Sequence, residues 1–209
     1  MPEPKSYREV QDSLGDRFIA SVRDFIASEI PTVAELERTH FSHVDDPDEK
    51  TAIARAFYEA RWIYKTGLAL LVRDEAQSAH VRCQAFLYGG VCEALLRDSI
   101  RFAKSQGLLT QKQYAFTVGK RQIVLDVGNE WGWNFLPLIL MAEHLKIVSG
   151  GVATGLDELR KDRNSVHPHK NEKFFIDRGK RYFDTVFSTV AATSGWKAKT
   201  RKRMARGGP

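Results

Sequence analysis

Hydrophobic positions recur at threes and fours through most of the chain, and polar or imino residues mark where each run stops. From Ser6 to Ile30 the run is Tyr7, Val10, Leu14, Phe18, Val22, Phe25 and Ile26, which predicts one helix closed by Pro31. Thr32 followed by Glu35 is a reciprocal capping pattern and predicts a brief helix through Leu36. Asp46-Pro47-Asp48-Glu49 is a stronger start signal, with a capping carboxylate, proline in the first turn and an acid at the third position. Ile53, Phe57, Ala60, Tyr64, Gly67 and Leu71 then form the stripe of a long packed helix, which Trp62 and Ile63 widen.

The next helix is expected over roughly residues 75–105. Gly89 and Gly90 lie at its centre, where each glycine costs on the order of 1 kcal/mol relative to alanine. The pair is expected to let another backbone come close. Residues 107–133 carry little periodicity. Arg121 to Val127 reads equally as strand or helix, and Trp131 and Trp133 among glycines suggest a structured loop. Helix returns over Phe135 to Ile147 and stops at Ser149-Gly150-Gly151. Thr154, answered by Asp157, is expected to cap the following short helix, which Pro168 ends at His167. The last helix, about Lys173 to Ala192, shows Phe175, Ile176, Gly179, Tyr182, Phe183, Val186, Phe187 and Val190 on one stripe. The reading is an all-α, up-and-down bundle of four to five main helices. Residues 1–45 form a short N-terminal helical extension, 46–193 the bundle, and 194–209 a basic, disordered tail.

Composition narrows the class. With 209 residues, 43% hydrophobic and 28% charged, the chain fits one ordinary globular domain with appendages. No apolar run approaches the length of a bilayer span, and Met1-Pro-Glu-Pro-Lys lacks the apolar stretch of a secretory signal. Cytoplasmic residence is the expectation. Cys83 and Cys92 fall within one helix, read as small buried side chains, and predict no disulfide. The net charge of +6 is localised. Of 32 basic residues, six (Lys197, Lys199, Arg201, Lys202, Arg203 and Arg206) lie in 197–209, leaving 26 to balance the 26 acids. The bundle is neutral, and the tail is either a non-specific phosphate contact or a solubilising end.

Candidate chemistry concentrates in residues 155–169. At about 100° per residue, Leu156, Arg160, Arg163 and His167 fall within roughly 60° of one another, with Leu159 beside them and Asn164 at the edge. Two guanidiniums and an imidazole thereby share a face with leucines that require burial. The competing reading is an ordinary helix end, with His167 answering the C-terminal dipole. Glu93, a helical turn beyond the glycines, either faces a basic partner across the bundle or pairs with Arg97 at i,i+4. His40 and His43 near Asp45 and Asp46 are too loose a set to suggest a metal site and read as a polar linker. No metal or cofactor is expected.

Leu159-Arg-Lys-Asp-Arg-Asn-Ser-Val-His-Pro168 resembles the signature of the HEPN superfamily, in which an arginine, often followed by a polar residue such as asparagine, precedes a histidine at or near a helix end. Val91-Cys-Glu-Ala-Leu-Leu-Arg97 is similar to the family's earlier core helix, and Phe135 to Ala142 resembles the segment before the motif. The likeness covers roughly residues 50–193. The family spacing places four to six residues between arginine and histidine. Arg163 to His167 has three, Arg160 to His167 has six, and Arg163 to His169 has five. Helix geometry favours His167 and the following asparagine favours Arg163, so Arg163, Asn164 and His167 come first, with Arg160 and His169 as alternates and Glu93 as a secondary site residue.

The resemblance implies an all-helical bundle and a metal-independent endoribonuclease acting at a homodimer interface, with a toxin-like or defence role by analogy. A non-catalytic RNA- or nucleotide-binding module and a structural interaction domain are the alternatives it leaves open. Its residues suit cleavage by the RNA's own 2′-hydroxyl: histidine exchanges protons near neutral pH, and an arginine fork holds two phosphate oxygens. Some toxin members carry a tyrosine two residues past the histidine, where this chain has His169.

Overall fold

The computed structural model describes residues 6–164 and 176–206. It is an all-α bundle with one small β-hairpin. The expected first helix divides at Gly15, whose φ of +74° is a left-handed geometry that breaks helical hydrogen bonding. This leaves α1 (Tyr7–Leu14) and α2 (Asp16–Ser28). The Thr32–Glu35 box forms as expected and starts α3 (Val33–Thr39). Asp46 caps α4 (Pro47–Ala69), accepting the Glu49 N–H at 2.9 Å.

The long α5 (Asp74–Ser105) is the axis of the molecule. It packs against α4, against α6 (Phe135–His144), α7 (Gly150–Asn164) and α8 (Ile176–Ala205). Contacts of Phe57 with Tyr88 and of His80 with Ile63 set α4 antiparallel to α5. Tyr88 against Phe183, Cys92 against Thr189 and Phe102 against Trp196 set α8 parallel to it. Leu36, Phe41 and Val44 are buried in the same core as Ile53, Phe57, Leu95, Leu138 and Leu156. The segment expected as an N-terminal extension thus closes one side of the bundle.

The structure decides what the pattern left open in residues 107–133 and corrects several local expectations. The run from Arg121, which reads equally as strand or helix, is the second strand of a hairpin, β1 (Gln113–Val118) with β2 (Arg121–Asp126), turning at Gly119. A 3-10 turn (Glu130–Gly132) carries fully exposed Trp131. Helix α7 begins at Gly150, so Thr154 is interior, and its hydroxyl donates back to the Gly150 carbonyl at 2.9 Å. Ser149 takes the capping place, its Oγ accepting the Val152 N–H at 3.4 Å. Cys92 is buried, but Cys83 is exposed.

The largest correction lies in α8. Residues 194–205, expected as the start of a disordered tail, are the last turns of α8. Lys197 is wholly buried there, with Nζ 2.6 Å from Asp98 Oδ2, 2.8 Å from Asp45 Oδ2 and 3.1 Å from the His43 carbonyl. Arg201 pairs with the other oxygen of Asp45 at 2.6 Å. His43 is likewise no linker residue: its buried Nε2 meets Thr193 Oγ1 at 3.0 Å. A charged side chain taken out of water must be paired and hydrogen-bonded, and Lys197 has three acceptors.

Candidate functional site

Helix α7 buries Ala153, Leu156 and Leu159 against its neighbours, and that buried stripe decides where its polar residues project. Asp157 holds Arg160 at 2.7 Å and Lys161 at 2.8 Å on α7's own surface. Asp162 faces α8, accepting from Tyr182 Oη at 2.6 Å and Arg178 Nη1 at 3.1 Å. The Tyr182 hydroxyl is held well above the usual phenol range, first by burial and then by that hydrogen bond. Arg160 and Arg163 therefore do not act as a pair.

Arg163 crosses to α5, where its Nη1 donates to Glu93 Oε2. Its stem lies over Gly89, so closely that a Cβ at that position would sit 2.8 Å from the Arg163 Cδ. The close approach expected of the glycine pair is thus made by a side chain and at Gly89 alone; nothing comes within 4 Å of a Cβ at Gly90. The guanidinium lies 5.5 Å from the Phe86 ring centre and 6.0 Å from that of Phe135, within cation–π range.

Both readings of Glu93 hold together. Its Oε1 is 3.4 Å from Arg97 Nη2, while Arg97 also donates to the carbonyls of Glu130 at 2.9 Å and Trp133 at 2.8 Å. One carboxylate thus lies between two guanidiniums, and the group carries a net positive charge. Side-chain exposure is 27% for Arg163 and 18% for Glu93, so the pair is neither open surface nor core. Among the described residues only Nη1 of Arg163 meets an acceptor, which leaves Nε and Nη2 for a ligand. Asn164, the last residue of α7, is exposed beside it. His167 and His169 lie outside the described residues.

Phe86 also lines an open groove of about 820 Å³ between α4 and α5. Tyr58 and Trp62, stacked with ring centres 6.0 Å apart, and Leu87 make its wall largely apolar. The role of Phe86 escaped the sequence reading, although Phe86, Gly89, Glu93 and Arg97 follow one another at helical spacing and mark one face of α5. Phe135 left no comparable signal, because its contact with Arg163 joins separate helices.

The cluster of buried His43, Asp98 and Lys197 with the part-exposed Asp45 and Arg201 differs in character. Burial, and then the nearby Lys197, lowers His43 to about 4. Burial also lifts Asp98 above the usual carboxylate range despite Lys197. Lys197 at 0% exposure and Asp98 at 5% are closed to a ligand, and Asp45 and Arg201, each about half exposed, are already paired with each other. Among the described residues no group of three or more His, Cys, Asp or Glu side chains is placed to hold a metal. No helix among them is long and apolar enough to cross a membrane. Comparison of the chain with protein-family models, with curated proteins and with solved structures gives no match.

Proposed function

We propose that the chain is a HEPN-like protein that acts on RNA as a metal-independent endoribonuclease, with Arg163 as the phosphate-binding group. The observation that carries this reading is the state of Arg163. Glu93, Phe86 and Phe135 fix its guanidinium at the end of α7. Its Nε and Nη2 edge is free of acceptors among the described residues. A pre-oriented fork of that kind suits two phosphate oxygens and stays charged as the phosphorane develops. Asn164, exposed and next in the chain, adds a neutral donor at the end of α7. His167, three residues beyond Asn164, is assigned the proton transfers: it takes the 2′-hydroxyl proton as that oxygen attacks phosphorus. The 5′-oxygen leaves with a proton, and the product is a 2′,3′-cyclic phosphate. One histidine supplies one proton-transfer group, so a second copy supplies the other. The apolar groove beside Phe86 is where we seat that copy.

Incubation of wild type with mixed cellular RNA in EDTA tests the reading. Cyclic-phosphate ends are expected from wild type and not from His167→Ala or Arg163→Ala, with His169→Ala retaining activity. Light scattering on the same sample is expected to show a dimer. Inert wild type, with dimer and fold intact, would remove the nuclease reading and leave a non-catalytic RNA-binding module. A purely structural reading is favoured by one observation, the chain of contacts from Arg163 through Glu93 and Arg97 to the 130–133 turn. On that reading Arg163→Ala lowers the melting temperature without altering any interaction with RNA.

A further inference from the structure

The basic residues near the end of the chain divide into two sets. Lys197 and Arg201 turn inward to Asp45 and Asp98. Lys199, Lys202, Arg203 and Arg206 are all exposed, and none pairs with a carboxylate among the described residues. At about 100° per residue these four fall within an arc of roughly 100° on one side of α8 and its end. They occupy roughly 10 Å of axis at 1.5 Å per residue. No acid occurs anywhere after Asp184. The helix dipole accounts for cations in the final turn only, and Lys199 lies further back.

We propose that this ridge docks the phosphate backbone of RNA as a second contact, separate from Arg163. A line of exposed point charges with no partner of fixed geometry suits phosphates irrespective of sequence. The flanks of the ridge argue against a lipid surface. A membrane-lying helix exposes large apolar residues beside its cations. Here Trp196 packs edge-on to Phe102 with ring centres 6.0 Å apart, Met204 is half-buried, and the exposed apolar residues of this stretch are Ala198 and Ala205. The buried Lys197 holds this end of α8 in place, so the ridge is presented on an ordered helix. Tyr182 touches Asp162, the neighbour of Arg163, and from Tyr182 to Arg203 is about 30 Å along α8 at 1.5 Å per residue. The ridge is thus a remote grip on the same polymer. The choice of RNA as the polyanion rests on the proposed function, whereas the ridge rests on α8 alone.

The test measures anisotropy of a labelled 2′-O-methyl RNA oligonucleotide over a series of salt concentrations. That probe lacks the 2′-hydroxyl nucleophile, so binding is read without cleavage. Replacing Lys199, Lys202, Arg203 and Arg206 together by Gln is expected to weaken binding about tenfold or more, and to make the log–log salt slope shallower by about 2–3. Replacing exposed Arg8, Arg17, Lys120 and Arg121 by Gln removes the same charge elsewhere and is expected to change binding less than about threefold. Lys199→Arg with Lys202→Arg keeps the charges and should retain wild-type affinity, with circular dichroism checking that each variant is helical. Equal losses in the two four-site variants would show a net-charge effect and overturn the proposal. Unchanged binding in the ridge variant, or no binding by wild type, would also overturn it. So would tighter wild-type binding to duplex DNA or to phosphatidylserine vesicles than to RNA. An RNA-binding ridge in a protein that fails the EDTA cleavage assay would sink the nuclease reading and leave the ridge standing.

Discussion

Lys197→Met isolates the energetics of the buried charge cluster. The replacement keeps most of the stem that places Nζ 5.1 Å from the Phe102 ring centre, and removes only the charge. Its two carboxylate partners respond differently. Asp45 is 51% exposed and is rehydrated, so its share is that of a surface pair, about 0–1 kcal/mol. Asp98 is 5% exposed and keeps only the Asp45 N–H, at 3.3 Å. Leaving a buried charge without its partner costs about 3–5 kcal/mol, and that N–H puts the expectation near the lower end. Against a total stability of roughly 5–15 kcal/mol this is a large loss. Adding Asp98→Asn removes the second charge and should restore stability to within about 1 kcal/mol of wild type. The pH dependence has a definite sign. Burial holds the Asp98 carboxyl above its ordinary value, and losing Lys197 raises it further. A carboxyl raised by folding destabilises above its folded pKa, and that cost vanishes as pH falls through it. Removing Lys197 also relieves His43, so both effects shrink the cost of Lys197→Met between pH 7 and pH 5. Urea unfolding followed by circular dichroism at both pH values measures it. A cost below about 1 kcal/mol at pH 7, or an equal cost at pH 5, would refute the reasoning.

Three further outcomes follow from the same geometry. His43, lowered to about 4 from an unfolded value of 6.5, takes up a proton on unfolding between those values. The His43 contribution to stability should therefore fall by about 3 kcal/mol as pH drops through that window, and His43→Gln should flatten the curve in urea titrations. Gly90→Ala, with open space at its Cβ, should raise the melting temperature by about 2–4 °C. Gly89→Ala places its Cβ against Arg163 and should forfeit that gain while reducing RNA binding or cleavage, as anisotropy and the EDTA assay would read.

Local physics made much of the fold readable. Capping at Thr32 and Asp46 and the stripe through Ile53, Phe57 and Ala60 depend on neighbours within a few residues, and all appear where the pattern puts them. The hairpin did not announce itself because most of its positions are exposed, which removes the alternation that marks a strand. Lys197 was illegible for the opposite reason. Its burial is set by Asp98 and Asp45, 99 and 152 residues away, and in sequence it is one lysine in a basic run. Thr154 misled because a threonine within a helix can satisfy its hydroxyl on the carbonyl four residues back, as it does at Gly150. At the candidate site Leu156 and Leu159, on the α7 face that spacing gives Arg163, are buried. The spacing grouped Arg160 with Arg163 because rotation about the axis ignores the local pull of Asp157.

Both charge clusters are anchored on α5, five residues apart at Glu93 and Asp98, yet burial gives them opposite capacities. At Asp98 every charge is committed: Lys197 is sealed from solvent and has three acceptors. Bringing a phosphate there would require breaking a buried ion pair, so the cluster is suited to holding α8 against the segment before α4. At Glu93 one carboxylate answers two arginines and solvent reaches all three. Glu93 therefore orients Arg163 without cancelling the positive charge of the group. Replacing Glu93 with Gln leaves a hydrogen-bond acceptor but removes the charge, which frees the guanidinium to swing over Phe86 and Phe135. A role in orientation thus demands weaker selectivity for where RNA is cut or held, with phosphate affinity kept or raised. A merely structural role demands a loss of stability alone. If the proposed function holds, the balance of charge around Glu93 makes Arg163, rather than the more heavily charged end of α8, the group to act on a single phosphate.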